Sequence, residues 1–237
     1  MRQSIGLVLA AIMLAIGIGL AGFFGSQTIL NARTGANTAA VKGLSERLVE
    51  SDKARWSLSY SRTERDPALV ADTFANAEAI TTRLRSILAE QGFEEAEIYV
   101  APLVRNDFDE RDNEGRVYDR YYNISGSLTV STARPELIEP SRAAVLDLAR
   151  EGIQISEDSL DYSFNKLNEI KPDMLREATE NARIAADEFA RNAGVTVGGI
   201  QSASQGGFEV NDAPGASPGS TQKLVRVVTN VSFYLEN

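Results

Sequence analysis

The fold expected from the sequence is α+β: a mixed or antiparallel sheet with helices packed on one face, preceded by one N-terminal transmembrane helix. Three observations predict it. Ile5 to Phe24 is an unbroken apolar run with no charged, amide or hydroxyl side chain. Beyond it, segments of two-residue hydrophobic alternation trade places with segments of helical period. The helical segments open on proline and close on glycine, the usual asymmetry of helix ends.

About 20 apolar residues in a helix span a hydrocarbon core of roughly 30 Å. Ile5, Leu14, Leu20 and Phe24 are therefore expected to be membrane-anchor residues. Arg2 and the terminal amine lie on one side of the run, and the first charge beyond it is Arg33. Positive charge stays cytoplasmic, so the N-terminus is expected inside and the folded part outside. A secretory signal has a similar pattern with an apolar region of about 7–15 residues. Gly19-Leu20-Ala21 is a passable cleavage triplet, but the length of the run favours a retained anchor. Small residues also align at four-residue spacing, as in Ala11, Ala15 and Gly19. Such lines let membrane helices pack together, although alanine and glycine are common in any such helix. The expected organisation is an anchor at 1–25, a linker at 26–40 and one domain at 41–237.

Within that domain, Val41 to Val49 reads as a strand and Glu50-Ser51-Asp52 as a turn. Ala54, Trp56, Leu58 and Tyr60 then alternate with polar residues, giving a strand with one buried face. Asp66-Pro67 starts a helix whose stripe includes Phe74, Ala77, Leu84, Ile87 and Leu88, and Gly92 stops it. Ile98 to Val104 is a strand, Asn106 to Gly115 a charged hairpin tip, and Val117 to Ser131 the return strand. Pro135 to Gly152 holds a second helix with Leu137, Val145 and Leu148 inward. A strand over Ile153 to Asn165 follows, then a third helix from Pro172 to Gly194. Its inward residues are expected to be Leu175, Ala178, Ala182, Ala185 and Phe189. Val195 to Ser204 is a short strand and Gln205 to Ser220 a loop. The final strand, Lys223 to Leu235, puts Val225, Val227, Val231 and Phe233 on one face. Trp56, Phe74, Tyr162, Phe189 and Phe233 are all expected in the core.

In this order the chain from Val41 onward resembles the SIMPL domain, or DUF541, family. The match is carried by Leu160-Asp161-Tyr162-Ser163-Phe164, by Leu175-Arg176-Glu177-Ala178 through Ala182-Arg183, and by Ala190-Arg191-Asn192-Ala193-Gly194-Val195. It continues through Ser202-Ala203-Ser204 to Val225-Arg226-Val227-Val228 and Phe233-Tyr234-Leu235. The resemblance implies a SIMPL domain over 41–237, a periplasmic location and a tendency to form ring-like or cage-like homo-oligomers. Some members are linked to oxidative-stress tolerance. No catalytic motif comes with the family. Glu50-Ser51-Asp52 stands where members usually have a Pro-Asp turn.

The composition narrows the chemistry. There is no histidine and no cysteine, so the commonest general base and the commonest transition-metal ligands are missing. No disulfide framework exists, and no glycine-rich phosphate cradle precedes a helix. With 33 acidic and 24 basic residues the net charge is −9, which argues against nucleic acid as a partner. No cofactor and no catalytic residue are expected. The acidic cluster Asp107, Asp109, Glu110, Asp112, Asn113 and Glu114 has calcium-like ligands, but interleaved arginines favour a solvated hairpin tip. Tyr118, Arg120 and Tyr121 suit either a subunit contact, since tyrosine and arginine are enriched at interfaces, or an ordinary exposed strand face. Tyr122 is expected inward with Tyr121 opposite it.

The leading expectation is a non-enzymatic, inner-membrane-anchored periplasmic protein that self-assembles and has a structural or stress-related role in the envelope. The competing class is a periplasmic binding module with a pocket between helices and sheet for a small apolar or peptide ligand.

Overall fold

The structure is a computed structural model that describes residues 13, 15–23, 37–217 and 219–236. In chain order its elements are β1 (Thr38–Glu50), β2 (Lys53–Glu64), α1 (Val70–Glu90), β3 (Ile98–Val100), β4 (Val104–Arg111) and β5 (Val117–Thr132). They continue as α2 (Ile138–Leu146), β6 (Ser156–Ser163), α3 (Leu167–Ala193), β7 (Thr196–Gln205), β8 (Glu209–Asp212) and β9 (Gln222–Glu236). The chain divides into two compact units. The first comprises Met1–Glu46, Pro172–Phe208 and Arg226–Asn237, and the second Arg47–Lys171 and Glu209–Val225.

The second unit is a helix-covered antiparallel sheet of order β3-β5-β2-β6, with β4 also paired to β5. As alternation predicts, Ala54, Trp56, Leu58 and Tyr60 of β2 are buried, and so are Tyr122, Ile124, Leu128 and Val130 of β5. Onto this face α1 places Val70, Ala77, Ile80, Leu84, Ile87 and Leu88, and the segment starting at α2 adds Ile138, Val145 and Leu148. Each large aliphatic side chain buried this way is worth about 1.5–3 kcal/mol. Gly126 faces Tyr60 in register, and a Cβ there would lie 2.4 Å from the Tyr60 hydroxyl. The missing side chain lets the Tyr60 ring lie across the strand, where its hydroxyl donates to the Ala77 carbonyl at 2.6 Å.

The first unit carries most of the sheet of order β1-β9-β7; β8, which pairs with β9, belongs to the second unit. Val227, Val231 and Phe233 of β9 are buried together as expected. The helix lies very close to β1. A Cβ on Gly43 would fall 1.7 Å from the Ala178 carbonyl oxygen and 2.6 Å from the Ala182 nitrogen. Only glycine fits there. The helix presents Met174, Ala178, Ala182, Ala186 and Ala190 to the interior, one residue every fourth position.

Several expectations need correction. Phe189 is 55% exposed: the buried line runs through Ala186 and Ala190, so the aromatic side chain falls on the outer face. Phe74 is only half-buried, packed at the margin of the core. The third helix begins at Leu167, not Pro172, which lies inside it. Its early start has a remote cause. The Asp52 carboxylate accepts the N–H groups of Asn165 at 2.8 Å and Lys166 at 2.9 Å, capping donors that would otherwise be unsatisfied. The stretch read as a hairpin tip is mostly β4, with a tight turn after it. The loop after β7 contains β8.

Of the expected anchor residues, Ile5, Leu14 and Phe24 lie outside the described residues. Leu20 lies in the helical stretch 15–23 and is exposed. Among the described residues no helix is long and apolar enough to cross a membrane.

Candidate assembly surface

A two-stranded ribbon extends from the second unit's sheet, built by β4 and the first half of β5. Its register pairs Asp107 with Tyr122, Phe108 with Tyr121, Asp109 with Arg120 and Glu110 with Asp119. Nearly all of β4 is exposed, whereas from Tyr122 onward β5 alternates into the core. The turn is fixed by Asp112, whose carboxylate accepts the N–H groups of Glu114 and Arg116, both at 2.9 Å. Gly115 closes it at φ +81°, a left-handed conformation that favours glycine.

Alternation gives the ribbon two different faces. On one, Phe108 and Tyr121 stack with ring centroids 5.0 Å apart and planes 16° from parallel. Phe108 is exposed and Tyr121 half-buried. On the other lie Arg105, Asp107, Asp109, Arg120 and Tyr122. There the Arg105 guanidinium forks onto Asp107 at 2.6 and 2.8 Å and sits 4.7 Å over the Tyr122 ring. Arg120 donates to Asp109 at 2.6 Å on this face, while Tyr118, beside the bulge at Glu110 and Arg111, donates to Glu110 at 2.8 Å on the Phe108 side.

These pairs set the charge state. The Arg120 hydrogen bond holds the Asp109 carboxyl below the usual carboxylate range, and Arg105 does the same for Asp107. Donation to Glu110 pushes the Tyr118 hydroxyl up. At neutral pH the ribbon is therefore a ladder of opposite charges beside an aromatic pair. Charged side chains on an unpaired strand edge oppose indiscriminate addition of further strands, while stacked aromatics supply directional apolar contact.

The predicted contact residues are split by this geometry. Arg120 lies on the charged face, whereas Tyr118, through its hydrogen bond to Glu110, and Tyr121 lie on the opposite one, Tyr121 turned from Tyr122 as expected. Tyr122 itself is buried. Phe108 was not expected there, because it falls in the acidic stretch expected to be a hairpin tip. The signal was present: Arg105, Asp107 and Asp109 alternate with Asn106, Phe108 and Glu110 at a strict period of two.

The acidic cluster is spread along a strand and a turn. Asp107 and Asp109 are held as above, while Asp112 and Glu114 bind Arg116 at 2.9 and 2.5 Å. Among the described residues no group of three or more Asp, Glu, His or Cys converges as metal ligands would.

A family model named SIMPL and described as a protein of unknown function (DUF541) matches residues 39–233. No curated protein matches. A similar solved structure is described as the crystal structure of an uncharacterized conserved protein from Listeria innocua. It is 12% identical, with coverage of 77% of this chain and 90% of that one and a TM-score of 0.20.

Proposed function

The chain belongs to the SIMPL family, and from that premise we propose that it acts by assembling with copies of itself at a membrane, without catalysing a reaction. The copies are anchored in the inner membrane by the apolar run from Ile5 to Phe24 and carry their folded part in the periplasm. There the assembly has a structural or stress-related role in the envelope. The observation that carries this reading is the stack of exposed Phe108 on half-buried Tyr121, on a ribbon where Arg105 and Arg120 are already paired with Asp107 and Asp109, and Asp119 with Arg65. Burying that stack against a neighbour releases apolar area without stranding an unpaired charge, the combination that energetic centres of interfaces use. The ring-like and cage-like assemblies implied by the family resemblance point the same way.

Mass measurement of the full chain in mild detergent tests the proposal. Self-assembly predicts a discrete multiple of the chain mass that survives dilution into the low micromolar range. A strict monomer across that range contradicts it.

A further inference from the structure

Around most of the second unit, guanidinium groups sit on carboxylates, as Arg65 does on Asp119 at 2.7 Å and Arg142 on Glu157 at 2.9 Å. Arg62 does not. Half-buried near the end of β2, it reaches only a neutral acceptor, the Gly152 carbonyl, at 3.3 and 3.4 Å. Among the described residues no carboxylate lies within ion-pair distance of it, in a chain whose net charge is −9. A partly desolvated cation without a counter-ion is unfavourable, and here it borders open space.

That space is a cavity of about 540 Å³ between β2 and α1, within the size range of small-molecule sites (about 300–1,000 Å³). Ile80 and Ile153 line it with apolar surface, and the Asn76 carboxamide lies on its helical wall. A second guanidinium, Arg83, borders it and is held only loosely, 3.6 Å from Glu151. The one carboxylate in the lining, Glu64, is engaged on one oxygen by the N–H groups of Arg65 at 2.7 Å and Asp66 at 2.9 Å. Planar guanidinium forks match a carboxylate bidentately. The neighbouring isoleucines suit a short hydrocarbon tail.

We propose that this cavity is a binding site for a small organic carboxylate with an apolar tail, its carboxylate held by Arg62 with help from Arg83 and its tail resting on Ile80 and Ile153. The site stands apart from self-assembly, since the ribbon shares none of its residues and either can fail alone.

Titration calorimetry tests it with hexanoate, hexanol and hexylamine as probes, on the full chain in lipid nanodiscs with empty nanodiscs as the blank. Hexanoate should bind saturably, with hexanol and hexylamine weaker by about tenfold or more, since each lacks the charge-assisted pair. Arg62→Gln should weaken hexanoate by about tenfold and leave hexanol unchanged, and Arg62→Lys should fall between. Absence of saturable hexanoate binding, equal binding of hexanoate and hexanol, or full affinity in a folded Arg62→Gln variant would each overturn the proposal. If Arg62→Gln fails to fold, the comparison of the three probes on the unaltered chain decides alone.

Discussion

In the second unit α1 meets its sheet through Ile80, Leu84, Ile87 and Leu88, whereas in the first unit α3 meets its own through Ala178, Ala182, Ala186 and Ala190. Both are helix-on-sheet layers, but they are held differently. The second unit buries large side chains around Trp56, and its stability follows the apolar area removed from water. The first buries mostly alanine on its helix, from Ala178 to Ala190, and brings two backbones together at Gly43. Side-chain hydrogen bonds accompany that approach: Ser45 donates to Glu177 at 2.9 Å, and Asn181 donates to the Leu44 carbonyl at 2.8 Å. The lesson is that one interface fails when atoms are removed and the other when atoms are added.

The largest effect should come from adding atoms where backbones touch. Gly43→Leu should cost more than about 4 kcal/mol, because the obstructing atoms are α3 backbone that cannot turn aside. Chemical denaturation read with regional hydrogen exchange should show lost protection concentrated in β1 and α3. Protection kept at the unaltered level there would break the comparison.

Removing atoms from the other interface comes next. Leu84→Ala should cost about 2–5 kcal/mol, since the residue is fully buried and leaves a cavity. The matching change in the first unit, Ala182→Gly, should cost only about 1 kcal/mol, mainly through helix propensity. Equal losses in the two denaturation midpoints would erase the distinction. Between these lies Gly126→Ala, expected to cost about 1–3 kcal/mol by displacing Tyr60. A Tyr60→Phe background should not rescue it, because the ring itself is in the way.

How much of this was legible in the sequence depended on side-chain size. Trp56, Leu58, Leu84 and Val231 announced buried faces through their spacing, and those faces are where alternation and helical period put them. Alanine carries no such label. Ala185 and Ala186 read alike, so the bulk of Phe189 drew the expected face one residue off the true line. The helix start was hidden for another reason: Asp52, which caps it, is far away in sequence. The close approach at Gly43 left no trace in its neighbours. At the candidate surface, the tyrosines and Arg120 were visible as interface-type residues. Phe108 was not, because the density of charge around it outweighed the two-residue alternation that makes it part of a strand.

The smallest expected effect is a pH dependence beside the second unit's core. Burial would raise the Glu97 carboxyl, but it is outweighed by hydrogen bonds from Thr132 at 2.6 Å, the Glu94 N–H at 2.8 Å and Arg134, which together lower it. A carboxyl lowered on folding contributes stability above its unfolded titration near about pH 4.3, and that contribution is lost as pH falls through the folded value. Melting temperatures should therefore drop more steeply below about pH 5 for the unaltered chain than for Glu97→Gln. Parallel curves would remove Glu97 from the account of acid stability.

Self-assembly through the ribbon is tested most directly by placing a photo-reactive benzoyl-phenylalanine at position 108 of the full chain and irradiating it in its own membrane. Assembly through the Phe108–Tyr121 stack predicts covalent species at whole multiples of the chain mass, with little product when the same group replaces Tyr99 on β3. Only monomer at position 108, or equal ladders from both positions, would contradict it.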